Sequence, residues 1–234
     1  MHEKDIRNEM ISLNDADRYQ RDNLSSVVVD YIKEMILARV YNEGEHILET
    51  EVANKLGISR GPVREGIKDL EKEGIVTVLS RKGTYVTKFQ LEDIKEIFDI
   101  RLLLEYNIIE ILIHEDKLTE QDFKVLEDIV KDMVDIVNQS DNFSERMIQL
   151  SLKDMEFHKF IWQKSGSKRR VNILKGIYFQ IRMAMLYDTN ETGDLLVTAT
   201  DHYDIIRFLR NKDIEKCKEA LRGHIISYRD GKFA

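Results

Sequence analysis

Cysteine occurs once in the 234 residues, at Cys217, so no disulfide can form within one chain. Proline also occurs once, at Pro62, and glycine only eleven times, which leaves little room for long irregular segments and makes helix the expected dominant state. No apolar run approaches the roughly 18 residues that a membrane-spanning helix needs, so a membrane partner is not expected. A single thiol fits a reducing compartment. The opening stretch MHEKDIRNEMISLNDADRYQ is too charged for a secretory leader, and a cytoplasmic protein is the expectation.

Hydrophobic residues make up 42% and charged residues 34%, a composition that can close a core in water. The length suits two modest cores better than one. The net charge of −7 argues, by itself, against a nucleic-acid partner. Binding responds to local patches, however, and the sequence has to be read locally.

Residues 1–22 are polar with weak periodicity and read as an arm or a short extra helix. From Leu24, apolar residues fall at helical spacing (Val28, Ile32, Met35, Ile36). A short helix carries Val52, Ala53 and Leu56 and stops at Gly57, and a further helix runs on to Gly74. The period then changes to two: IVTVL and TYVTK flank SRKG, the pattern of a hairpin. Helix, helix, tight turn, helix and hairpin over residues 23–88 is the layout of a winged helix-turn-helix. Beyond Lys88 only helical stripes recur, at about 91–114, 119–138, 143–165, 168–188, 195–210 and 213–229. They predict a second domain over residues 91–230, an antiparallel all-α bundle of six helices. The fold class is therefore mainly α, with one small β-hairpin wing.

The lone proline sits in GISRGPVREGIKDLEKEG. Ser59 is placed to cap the helix with its hydroxyl, and proline is tolerated in a first turn because amides there have no intrahelical partner. Val63, Ile67 and Leu70 form the buried edge; Arg60 and Arg64, four apart, share another. Two cations at a helix N-terminus are unfavourable unless that end meets an anion. Recognition helices present their N-terminal residues to the major groove, where arginine bridges guanine or clamps phosphate. The hairpin adds Arg81, Lys82 and Lys88, with no acid between residues 76 and 88. Residues 21–88 hold 11 basic and 11 acidic residues, but the acids gather at 43–51 and 65–73, which leaves the basic groups a coherent edge. A double-stranded DNA operator is the expected partner.

The run EGEHILETEVANKLGISRGPVREGIKDLEKEGIVTVLSRKGTYV resembles the DNA-binding domain of GntR-type bacterial transcription regulators, and the helical remainder resembles the FCD ligand-binding domain. The resemblance implies that Ser59, Arg60, Gly61 and Arg64 contact DNA and that Arg81, Lys82 and Gly83 form a wing tip approaching the minor groove. Two positions depart from the pattern. Thr50 stands where some members carry arginine, and Gly61 replaces the commoner threonine, removing a hydroxyl.

Three of the six histidines fall on apolar helical stripes. Asp154 and His158 are four apart on one face, roughly 6 Å along the axis. His202 heads the stripe Ile205, Ile206, Leu209, and His224 lies beside Leu221. One such histidine is more often a hydrogen-bonded core residue than a ligand. Three of them with a carboxylate need pairing, because buried polar groups are expensive alone, and a divalent metal would pair all four. The donor set suits zinc, nickel, iron or manganese. The FCD resemblance implies the same ligands, Asp154, His158, His202 and His224, and places polar effector contacts at Arg101 and Arg182. His2, His46 and His114 receive no role.

These readings together predict a homodimeric regulator, most simply a repressor, controlled by a small organic acid. Two other readings remain open at the level of sequence. One is a metal-dependent enzyme using the Asp/His cluster to activate water, which leaves the N-terminal domain unexplained. The other is a regulator with an acyl-CoA pocket and no metal.

Overall fold

The computed structural model of the chain describes residues 24–139, 142–192 and 194–226. The arm expected over residues 1–22 lies outside these residues, as do residues 227–230 of the expected second domain. Two compact units divide the chain, the first ending at Lys88 and the second beginning at Phe89. Among the described residues are ten helices and one small sheet, so the protein is mainly α.

The first unit runs α1 (Leu24–Leu37), β1 (His46–Ile47), α2 (Glu49–Leu56), α3 (Arg60–Lys72), β2 (Val76–Leu79) and β3 (Gly83–Val86). Helix α1 buries Val28, Val29, Ile32 and Ile36, one stripe at helical spacing, against α3. Fully burying each such side chain stabilises by about 1.5–3 kcal/mol relative to exposure. Val63, Ile67 and Leu70 form the facing edge of α3. Gly66 lies among them, and its missing side chain sets how closely the helices approach: a Cβ there would lie 2.8 Å from the Val28 side chain and 2.9 Å from the Ser25 carbonyl oxygen. Met35 and Leu56, expected on the buried faces, are half-buried.

The sheet is antiparallel in the order β1-β3-β2, with Val76 opposite Val86 and Leu79 opposite Gly83. The expected hairpin is therefore present, and β1 adds a third strand of two residues pairing His46 with Tyr85. Two residues carry no readable alternation, which is why β1 escapes a pattern search.

The second unit holds seven helices: α4 (Leu91–His114), α5 (Glu120–Gln139), α6 (Phe143–Lys164), α7 (Lys168–Gly176), α8 (Tyr178–Thr192), α9 (Leu195–Arg210) and α10 (Ile214–Ile225). The stripe read as one helix over 168–188 is in fact two. The break falls at Ile177, where Gly176, a poor helix former, precedes a β-branched residue, and the expected six helices become seven. Local chemistry fixes the starts. Gln90 and Asp93 form a reciprocal capping box for α4, and Asn142, Asp194 and Asp213 accept first-turn amides of α6, α9 and α10. Helix α6 is central, touched by α4, α5, α7, α8 and α9. It buries Leu150, Phe157, Ile161 and Trp162, and on the same inner stripe Ser151, Asp154 and His158.

Candidate nucleic-acid interface and metal centre

The α2–turn–α3 arrangement brings the first turns of both helices together. Ser59 is the N-cap residue of α3 with extended backbone (φ −73°, ψ 163°), but its hydroxyl makes no capping hydrogen bond. That corrects the expectation, and the cause is Pro62. It occupies the third helical position, whose amide is one of the two a capping side chain bonds, and proline has no N–H. The Ser59 and Gly61 positions are exposed.

Arg60 and Arg64 are exposed on one edge, with side chains 53% and 58% accessible. Both guanidinium groups donate to the same oxygen, Oε2 of Glu49, at 3.0 Å from Arg60 Nη2 and 2.9 Å from Arg64 Nε. Burial raises the Glu49 pKa, but the bonds from the two arginines outweigh it and hold the carboxylate below its ordinary value. Glu49 escapes sequence reading because it lies on a different helix from the arginines, inside an acidic cluster that reads as plain charge balance.

In the wing, Arg81 and Lys82 are exposed, and Arg81 adopts a left-handed backbone (φ 61°). Gly83 (φ 114°) is half-buried, and a Cβ there would collide with the His46 ring. His46 stacks on Tyr85, centroids 4.9 Å apart, and the Tyr85 hydroxyl donates to the Lys82 carbonyl at 3.1 Å. His46 thus braces the wing turn, a contact made across β1 and β3.

In the second unit, Asp154 and His158 from α6, His202 from α9 and His224 from α10 converge; one donor atom from each lies within 4.8 Å of all the others. Asp154 Oδ1 is 2.9 Å from His224 Nε2 and 3.3 Å from His202 Nε2, and Oδ2 is 3.8 Å from His158 Nε2. His158 Nε2 and His224 Nε2 are 3.2 Å apart. Donors about 2.1 Å from a common tetrahedral centre would be separated by about 3.4 Å, close to this set. The approaches to Asp154 are poorly aligned as hydrogen bonds: both Asp154 oxygens and His202 Nε2 are buried without such a partner among the described residues. A proton on His224 Nε2 can satisfy one of these three atoms at most, whereas a cation between the four side chains pairs Asp154 and His202 together with the other two imidazoles.

The protonation states suit ligation. Burial pushes the His224 pKa down to about 3, His202 adds to that, and Asp154 opposes it. Burial also lowers His158, against the pull of Glu105. For Asp154, burial raises the pKa but His224 and His158 outweigh it, leaving the carboxyl well below its usual value. Neutral imidazoles and an ionised carboxylate are the forms that bind metal.

Arg101, on α4, is 1% exposed; its Nε donates to Glu105 Oε1 at 2.6 Å, and Nη2 lies 3.7 Å from Asp154 Oδ2. Glu105 Oε2 is 2.7 Å from His158 Nδ1. Burial raises Glu105, but His158 and Arg101 outweigh it and hold it at about 2. Arg182 is buried on α8, which packs against α4 and α6. Glu105 was missed from sequence, although it falls on the buried stripe of Ile94, Phe98, Arg101 and Leu102. An open groove lined by Val125, Leu152, Phe160 and Tyr178 uses the opposite face of α6 and shares no residue with the cluster.

Residues 24–86 match the family model described as bacterial regulatory proteins, gntR family. Residues 96–227 match the model of the FCD domain. The "Uncharacterized HTH-type transcriptional regulator YdhC" of Bacillus subtilis (strain 168) is 28% identical over 199 residues, 84% of each chain. The gluconate operon transcriptional repressor of the same organism is 31% identical over 128 residues, 55% of this chain and 45% of the relative. Among solved structures, E. coli McbR/YncC has a TM-score of 0.71 at 20% identity, over 87% of this chain and 94% of that one, a likeness of fold.

Proposed function

The chain belongs to the gntR family of bacterial regulatory proteins and carries an FCD domain, and on that premise we propose a repressor whose hold on its operator is set by a small organic acid bound at a divalent metal. That it is a DNA-binding transcription regulator and not an enzyme follows from the family. The finer reading has its own supports.

For the DNA side, the supports are the exposed Arg60 and Arg64 at the tip of α3 and the exposed Arg81 and Lys82 at the wing turn. Ser59 and Gly61 flank Arg60 without a side chain that blocks approach, and Gly83 lets the wing turn close. One such head covers a half-site, so a homodimer reading a two-fold operator is the natural assembly. Repression is favoured by the relative named a gluconate operon repressor.

For the metal, the observation that carries the reading is the set of buried atoms with no hydrogen bond: both Asp154 oxygens and His202 Nε2, facing two further imidazole nitrogens. Asp154, His158, His202 and His224 would hold the ion, and three nitrogens with one oxygen suit zinc, nickel, iron or manganese. A bound ion with five or six coordination positions supplies one or two to an outside ligand.

Charge points to the class of that ligand. Asp154 and Glu105 contribute two negative charges and Arg101 one positive, so the buried group carries −1 before metal and +1 with a divalent ion. An anion is favoured only in the second case. Arg101 Nη2, buried without a hydrogen bond, is a donor available to a carboxylate there, and Arg182 is a second buried guanidinium in this unit.

The test uses a duplex selected from a random pool by the protein itself. Small carboxylates should weaken binding of metal-loaded protein in fluorescence anisotropy and have no effect after chelation. An equal response with and without metal would remove the metal from the reading.

A further inference from the structure

Each imidazole of the cluster has a second nitrogen, and what that nitrogen meets differs among the three. His202 Nδ1 faces carbonyl oxygens of its own helix, Thr198 at 3.1 Å and Ala199 at 3.3 Å. His224 Nδ1 is buried with no hydrogen bond among the described residues. His158 Nδ1 meets a charge, Oε2 of Glu105 at 2.7 Å. The other oxygen of Glu105 is taken by Arg101 Nε at 2.6 Å, and Arg101 Nη2 turns back towards Asp154 Oδ2 at 3.7 Å. Arg101, Glu105, His158 and Asp154 thus close a ring, each of them at most 2% exposed.

Burying an arginine and a glutamate in a helical core is costly, and apolar residues of the same volume often serve stability as well or better. Stability alone gives no reason for the pair, whereas orientation does. A carboxylate on one imidazole nitrogen keeps the proton there and leaves the other nitrogen with a lone pair.

We propose that Glu105 is a positioning residue for the metal centre: it fixes His158 as the Nδ1–H tautomer, so that Nε2 presents its lone pair towards Asp154 and His224, while Arg101 holds the carboxylate in place. The proposal rests on the metal reading above. It also gives α4 a place in that reading. Arg101 and Glu105 both lie on α4, which begins at Leu91, three residues after the DNA-reading unit ends at Lys88, so the centre is tied to the helix that leads back to that unit in sequence.

The test compares wild type with E105Q and with the double variant R101M/E105L, which removes both charges so that neither is left buried alone. Long-range proton–nitrogen NMR of metal-free protein reads the tautomer, and competition with a chromophoric chelator reads zinc affinity. Wild-type His158 should be the Nδ1–H form, and both variants should shift it towards Nε2–H while His202 stays unchanged. Zinc should bind the variants about 10- to 100-fold more weakly. Variants that keep the His158 tautomer and bind zinc as tightly as wild type would overturn this proposal alone. Wild-type protein that binds no zinc, nickel, iron or manganese would overturn the metal reading and the proposal with it.

Discussion

Acid should destabilise the second unit of the metal-free protein steeply before ordinary carboxylates titrate. His158 and His224 are buried and neutral in the folded state, with the His224 pKa near 3 against an ordinary 6.5. Once pH falls below about 6.5, the unfolded chain takes up protons that the folded chain refuses, so stability falls with acid. Each such imidazole costs up to about 1.4 kcal/mol per pH unit, and two together about 2.7. For His224 alone, the whole window down to its folded value amounts to about 5 kcal/mol. Asp154 and Glu105 act lower. Their folded values are depressed, so their contribution is present above their ordinary pKa values and is lost as pH falls through the folded ones. Between pH 6.5 and pH 5 the two imidazoles remove up to about 4 kcal/mol, most of the stability of a domain near the low end of the typical range of about 5–15 kcal/mol. Trp162, the chain's one tryptophan and fully buried in α6, reports this unit in urea titrations. Replacing His224 by glutamine should make the slope below pH 6.5 clearly shallower. A wild-type stability that is flat from about pH 7.5 to pH 5 would mean that the folded state accepts these protons, and the reasoning would fail.

Arg60→Ala and Arg64→Ala should each weaken duplex binding, by about 1–3 kcal/mol where the contact is to a base, or with a loss of about one from the salt slope where it is to phosphate. Anisotropy titrations across ionic strength separate the two, and unchanged affinity in both variants would contradict the assigned face. Gly66→Ala should destabilise the first unit by about 1–3 kcal/mol despite alanine's better helix propensity, because the added methyl meets the Val28 side chain and the Ser25 carbonyl. A variant that melts with the wild type would mean that α1 and α3 have room to move apart.

What the sequence made legible follows physical size. Helix α4 was readable over its full length because a 24-residue stripe repeats its signal many times and a capping box marks its start. The strand β1 was not, since two residues have no period. The break between α7 and α8 was hidden because the apolar stripe continues past Ile177, and Gly176 alone is a weak stop. The four residues of the Asp/His cluster were found because each sits on an apolar stripe where a polar group stands out. Glu105 satisfies the same rule and was overlooked, its charge suggesting a surface position. Glu49 is a different case. Its partners are 11 and 15 residues away on another helix, and only the turn between α2 and α3 brings them within 3.0 Å. Ser59 shows a conflict between two local rules, where the proline that suits the first turn removes the amide that a capping serine would use.

Whether the buried Asp154–His158–His202–His224 group binds an ion decides the metal reading. Elemental analysis of protein purified without chelator and then offered zinc, nickel, iron and manganese in turn gives the answer. We expect about one divalent ion per chain in the wild type and almost none in His202→Ala, with the circular dichroism of the fold retained. A wild-type protein that remains metal-free under every loading condition, or a His202→Ala variant that loads as fully as the wild type, would contradict it.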